Sequence, residues 1–373
     1  MKKLDEGFIV NAQKLAGPCR VCTFTSLFRL DSGEILATYR LGSAKNSADG
    51  NCQIARSTDH GQTWEVIHEG FESTLDGVKG EIRSAQFAQR NDGVLLAFLS
   101  WVEQQSGDPR LYDPESDTAR LTKLLVVESN DDGRTWSRNR VLATGDLARP
   151  LLCGQTVRLP GKGWLVPVEN YAPRKPGGAC VHSAHAVLSG DGREFDAVLS
   201  IARHPEDSLY YWDQRVALCS AENRLVNLFW TYDRKREEDV DIHISWADAE
   251  ALSWTAPVGT GLAGQIAAPI PLPDGRLLAF YVRRKLPGSL KLIASPDGGK
   301  TWDQANELVV FSQDLGDERG KTKRGYAGTW EGISRWTFGH PVGITLDENV
   351  LLVVYYAGAH EKCLSVRWAR VSV

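Results

Sequence analysis

The 373-residue chain contains no apolar run near the ~20 residues that a membrane helix requires. Near its start the apolar stretch is only Phe8-Ile9-Val10, too short for the core of a secretory signal. A cytoplasmic protein is therefore expected, secreted only if a signal was removed. Basic charge is not in excess: the net charge is −4 and the pI about 6.1. That argues against a nucleic-acid partner and against polybasic membrane contact. No Pro/Gly/Ser-rich linker and no low-complexity run divides the chain, so one domain over residues 1–373 is expected. The seven cysteines are scattered and odd in number, which excludes a disulfide scaffold. Cys19 and Cys22 form a lone CxxC with no second pair to complete a zinc site. His182 and His185, three apart on an expected strand, point to opposite faces and make a poor metal pair. No metal and no cofactor are expected. Helical periodicity is nearly absent as well; the best candidate is the short "DAEAL" at 248–252.

What the chain does have is repetition. Six copies of an apolar strand, a turn and a second apolar strand run through it: 27–39, 87–99, 157–168, 216–230, 270–282 and 344–356. Their turns fall at Gly33, Gly93, Gly163, Asn223, Gly275 and Asn349, where Gly- and Asn-containing turns between β-branched and aromatic runs signal hairpins. A further strand follows each hairpin. In copies one, two and five it leads into an eight-residue box, "STDHGQTW", "SNDDGRTW" and "SPDGGKTW". Copies three and four carry degraded versions. Six units of four short strands read as an all-β, six-bladed β-propeller, with "EGFIV" from the N-terminus completing the last unit.

The box is turn chemistry. Its Asp can accept backbone N–H groups, its Gly tolerates positive φ, and its Trp packs back between sheets. Asp59, Asp131 and Asp297 are thus expected to be structural, on the face opposite the functional one. Function is expected at residues that precede the hairpins or follow their second strands. Arg20, Arg83, Asp213, Gln265 and His340 lie before or early in first strands. Arg40, Glu169, Tyr171, Arg283 and Tyr356 follow second strands. Arginines with carboxylates and aromatics round one axis suit an anionic sugar ring. Two long loops, 102–120 and 312–336, are expected to cover this face as lids or as a homo-oligomer contact.

On these features the chain resembles the sialidase superfamily of Asp-box (BNR-repeat) propellers, along nearly its whole length. The resemblance implies an exo-glycoside hydrolase acting on a terminal, acidic sugar. It places a first Arg at "CRVC" (Arg20), a second at "ATYR" (Arg40) and the acid/base Asp at "SADGNCQ" (Asp49). Arg283 is the counterpart of an Arg in the fifth unit. Where the family has its tyrosine nucleophile, this chain reads "FGHPVGITL", with His340. Where the family has the glutamate that activates that tyrosine, it reads "YYWDQRVAL", with Asp213 or Gln214. Asp49 would act as general acid if burial raised its pKa. Glu169, Asp213 or His340 would activate water. Arg20, Arg40, Arg83, Tyr171, Gln265, Arg283 and Tyr356 would hold substrate. Two other readings stay open: a lyase that eliminates across a uronate, and a non-catalytic propeller that binds glycan or protein.

Overall fold

The computed structural model describes residues 1–104, 111–113, 118–172, 181–195, 197–314 and 332–373. All six hairpins read from the sequence form, and each is extended by two more strands into an antiparallel unit. Unit one runs Val21–Arg29, Ile35–Gly42, Asn51–Ser57 and Glu65–His68. Unit two runs Val78–Gln89, Leu95–Glu103, Thr122–Ser129 and Arg140–Val141. In unit three the first strand is split into Pro150–Leu152 and Val157–Leu159, both paired with Gly163–Ala172, before Val181–Ser189 and Ala197–Ala202. Unit four is built from Leu209–Cys219, Arg224–Asp233, His243–Asp248 and Val258–Gly259. Unit five comprises Ala267–Pro271, Leu277–Arg283, Gly288–Ser295 and Leu308–Gln313. Unit six has Phe338–Thr345, Val350–His360 and Cys363–Ser372, and the N-terminal strand Lys2–Val10 pairs with the last of these.

The first strands touch one another in sequence order, and that of unit six touches that of unit one, so the innermost strands close a ring. Apolar side chains on facing sheets fill the space between neighbours. Leu36 and Ile54 of unit one, for example, pack with Ile82, Phe87 and Leu99 of unit two. Ring closure leaves no long inner edge exposed to other chains.

The three full boxes fold alike. Ser57, Ser129 and Ser295 accept the N–H of Gly61, Gly133 and Gly299 at 2.9, 2.9 and 2.7 Å. Asp59, Asp131 and Asp297 accept the Thr N–H four residues on at 2.9, 2.9 and 2.8 Å, and that threonine's hydroxyl at 2.6, 2.6 and 2.7 Å. Each box follows a third strand at the end where it pairs with the start of the second, as Ser57 does with Ile35. The residues that line the cavity described below lie at the other end. Asp297→Ala is expected to lower stability by roughly 1–2 kcal/mol through lost turn bonds, as read by chemical denaturation, with ligand binding or turnover unchanged. "DAEAL" forms a turn, not a helix. Asp248 accepts the N–H groups of Glu250 and Ala251 at 2.8 Å each, and five residues cannot offset helix nucleation.

Among the described residues, no group of three His, Cys, Asp or Glu could hold a metal ion. No described helix is long and apolar enough to cross a membrane.

Candidate functional site

The site is made by irregularities in the first strands. Register shifts interrupt them between Thr23 and Ser26, Ile82 and Ser84, Trp212 and Arg215, and Gly339 and Val342. In unit three the strand breaks altogether, with Gly154 at φ 51. Such bulges insert residues that re-aim side chains. Three of these residues, Phe24, Asp213 and His340, occupy the left-handed region at φ 53, 46 and 48. That conformation is costly for a residue with a β-carbon and persists where surrounding contacts enforce it. One such contact joins two bulges: the Thr25 hydroxyl donates to the His340 carbonyl at 2.5 Å.

These residues open on one cavity of about 1090 Å³, its mouth included, to which every unit contributes: Phe24, Arg83, Gly154, Asp213, Ile266 and His340. Two carboxylates face each other's charge there. Glu169 is buried; it accepts from the Tyr171 hydroxyl at 2.7 Å and the Gln214 N–H at 3.0 Å, and His182 Nε2 lies 3.5 Å away. Burial alone would raise its pKa, but these neighbours outweigh it and hold Glu169 below the usual range. Asp213 behaves oppositely. Burial pushes its carboxyl up to about 6, helped by the Glu169 charge and opposed by Arg215, 3.4 Å away.

A lysine and three arginines surround them: Lys45, Arg83, Arg215 and Arg284. Arg83 pairs with buried Glu81 at 2.9 Å and lies 4.6 Å over the Phe24 ring. Arg215 reaches His340 Nδ1 at 3.4 Å. Arg284 donates its Nε to Gln265 at 2.7 Å and stacks 3.8 Å over Trp336, while its two terminal nitrogens are buried with no hydrogen-bond partner among the described residues. Lys45 Nζ donates to the carbonyls of Ile333 at 2.8 Å and Trp336 at 2.5 Å, and lies 2.9 Å from the Tyr356 hydroxyl. Burial, reinforced by the three arginines and Lys45, depresses His340 well below its ordinary value, so its imidazole is neutral at pH 7. An aromatic and aliphatic wall of Trp212, Trp230, Trp336, Leu151 and Ile266 completes the cavity.

Of the residues singled out in the sequence, Arg83, Glu169, Tyr171, Asp213, His340 and Tyr356 line this cavity; Asp49, Arg20, Arg40, Gln265 and Arg283 do not. Asp49 is exposed on the loop 43–50. Burial would raise its pKa, but hydrogen bonds from Ser47, Ser43 and Cys19 prevail and hold it at about 2, the reverse of the expected shift. Arg20 is exposed and donates to the Gly17 carbonyl. Arg40 is fully buried, paired with Glu81 at 2.5 Å and bonded to the carbonyls of Ala44 and Ser47; it supports the loop from beneath. A β-carbon on Gly50 would come within 1.9 Å of the Arg40 guanidinium, so this loop needs glycine there. Gln265 acts through Arg284, as it accepts from Arg284 and donates to Asp239 at 2.6 Å. Arg283 ends its strand facing the Lys285 and Pro287 carbonyls, and the next residue, Arg284, takes the cavity position. Most of the loops 102–120 and 312–336 lies outside the described residues, but Leu111, Ile333 and Trp336 from them line the cavity. Reasoning from sequence missed Lys45 and the tryptophans. Trp212 and Trp230 could have been found from their places beside the fourth hairpin's cavity end.

Neither a scan against protein-family models nor a search of curated proteins finds a match. Solved structures do match. A protein of unknown function from Dyadobacter fermentans DSM 18053 is 15% identical at a TM-score of 0.72, over 100% of this chain and 98% of that one. The Hadza microbial sialidase Hz136 is 15% identical at 0.71, over 99% and 68%. The alpha-L-arabinanase of Penicillium chrysogenum, complexed with arabinobiose, is 14% identical at 0.60, over 100% and 99%. The chain therefore has an all-β fold shared with sialidases and an arabinanase.

Proposed function

We propose that the six units are blades of a six-bladed propeller and that the axial cavity is the active site of a glycoside hydrolase acting on a terminal, acidic sugar. The observation that carries this reading is Asp213. It is a half-buried carboxyl, still protonated up to about pH 6, held on strained backbone among Lys45, Arg83, Arg215 and Arg284. A raised carboxyl can give its proton to a leaving oxygen. Asp49, held at about 2, has no proton to give at neutral pH, so the acid role passes to Asp213. Burial keeps the proton on Asp213, and the Glu169 charge adds to it. The three arginines outnumber the two carboxylates, which favours a ligand that brings negative charge. Arg284, with its unmet terminal N–H groups, is the group to grip a carboxylate. Neutral His340 and Tyr171 border the sugar, and the tryptophans offer apolar faces to it.

The test is a screen of aryl glycosides of acidic and neutral sugars, read for released aglycone and for the absorbance of unsaturated product. Release without unsaturation, with acidic sugars preferred, supports hydrolysis. Unsaturated product would make the site a lyase, and saturable glycan binding without turnover would make it a binding module.

A further inference from the structure

Lys45 is the least expected side chain in the cavity. It is 3% exposed, and its Nζ has three neighbours within hydrogen-bond distance: the carbonyls of Ile333 and Trp336 and the hydroxyl of Tyr356. Two of the three can only accept. An amine carrying two N–H groups satisfies both carbonyls and leaves its lone pair toward the third neighbour, which is itself a donor. Donors and acceptors therefore balance in two states, an ammonium that donates to all three neighbours and an amine that receives the tyrosine O–H, and the two states differ by one proton at the Lys45–Tyr356 contact. Tyr356 is 3% exposed, lines the cavity, and sits beside Arg284 on one side and His340, 6.2 Å between ring centres, on the other.

We infer that Lys45 and Tyr356 form a proton relay that serves as the base of this site, with Tyr356 touching the reacting water and Lys45 storing the proton. The inference rests on the hydrolase reading above. In the step it supplies, Asp213 passes its proton to the leaving oxygen as the anomeric carbon–oxygen bond breaks. The water oxygen bonds to the anomeric carbon. Its proton goes to Tyr356 Oη while the proton already on Tyr356 goes to Lys45 Nζ. The protein is left with an Asp213 carboxylate and a Lys45 ammonium, and transfer of one proton from Lys45 to Asp213 through solvent restores both.

The surroundings fit. Burial and then the charges of Arg284 and Arg83 push Lys45 well below its ordinary pKa, against the weaker pull of Glu361. Burial raises Tyr356, opposed by Arg284 and aided by Asp213, so both shifts favour an amine beside a phenol. Among the described residues, Arg215, His340, Glu169, Tyr171 and Cys153 are the other titratable or charged groups that line this space. A lysine in such a place serves as a general base in a way that arginine cannot.

The test compares Lys45→Met, Lys45→Arg and Tyr356→Phe with the intact protein on whichever acidic glycoside it cleaves. A relay predicts that all three lose about 10²-fold or more in kcat with little change in KM, and that the low-pH limb of the profile disappears. Arginine keeps donors for the Ile333 and Trp336 carbonyls but cannot lose its proton. Activity restored in Lys45→Arg would overturn the relay and leave Lys45 a structural clamp. Tyr356→Phe leaves both carbonyl bonds in place and decides the matter if Lys45→Met fails to fold; full activity in it would also overturn the relay. Should no glycoside be cleaved, the hydrolase reading fails, and side-chain 15N resonances of lysine still decide. A Lys45 amine that is neutral at about pH 7 supports the pair, and an ammonium persisting to about pH 9 overturns it.

Discussion

Asp213→Asn is expected to reduce kcat/KM by about 10³-fold, whereas Asp49→Asn leaves it within about threefold of the unmodified protein. The contrast follows from where the two carboxyls sit. Asp213 lies on a left-handed bulge residue at the cavity and stays protonated to about pH 6, while Asp49 is exposed, capped by Ser43 and Ser47, and held at about 2. Asparagine preserves the size of Asp213 and removes its proton. Stability should move the other way. Because the folded-state pKa of Asp213 is raised, its stabilising contribution is present below the ordinary carboxylate value and is lost as pH rises through about 6. Asp213→Asn should therefore melt higher than the unmodified protein above pH 6, by roughly 1–3 kcal/mol, and the gap should close toward pH 4. Thermal melts across that range, run beside the kinetics, separate loss of chemistry from loss of fold.

Arg284→Met is expected to cost about 10²-fold in kcat/KM on acidic sugars and only a few-fold on their neutral counterparts. Methionine keeps an apolar chain of similar length and removes the guanidinium that lies over the Trp336 and Phe338 rings. Arg284 has two buried terminal nitrogens that lack hydrogen-bond partners among the described residues, whereas Arg83 is committed to Glu81 and Asn46. Equal losses on acidic and neutral substrates would mean that Arg284 holds the wall together and does not read charge. Arg20→Met and Arg283→Met, which alter residues outside the cavity, should discriminate little between the two substrate types.

The contrast between these arginines shows how far the sequence could be read. Hairpins announced themselves because Gly- and Asn-containing turns, β-branched runs and a repeated Asp box are local signals, and local signals survive without knowledge of the fold. The N-terminal strand closing unit six was legible for the same reason. The site lies at the irregular ends of strands, where local rules give out. Arg283 and Arg284 differ by one position, and the strand ends between them, so alternation could not say which one turns inward. In the loop "SAKNSADG" a carboxylate and a lysine stand four residues apart. Nothing periodic in a loop marks Lys45 as the inward side chain and Asp49 as the outward one. Arg40 read as a ligand-gripping residue because its partner Glu81 is 41 residues away. Phe24, Asp213 and His340 depend on bulges that neighbouring strands impose, and no residue type in "TFTS", "WDQR" or "GHPV" announces them.

The central claim is that the cavity holds a proton-donating Asp213 whose proton is held by burial and, in part, by the Glu169 charge. Its most direct measurement is the pH dependence of kcat/KM for the unmodified protein and for Glu169→Gln. Activity should fall as pH rises through about 6, where Asp213 loses its proton. Removing the Glu169 charge should move that fall to lower pH, because the charge is part of what holds the proton on. A profile with no fall between about pH 5 and 7, or one that Glu169→Gln leaves in place, would contradict the account.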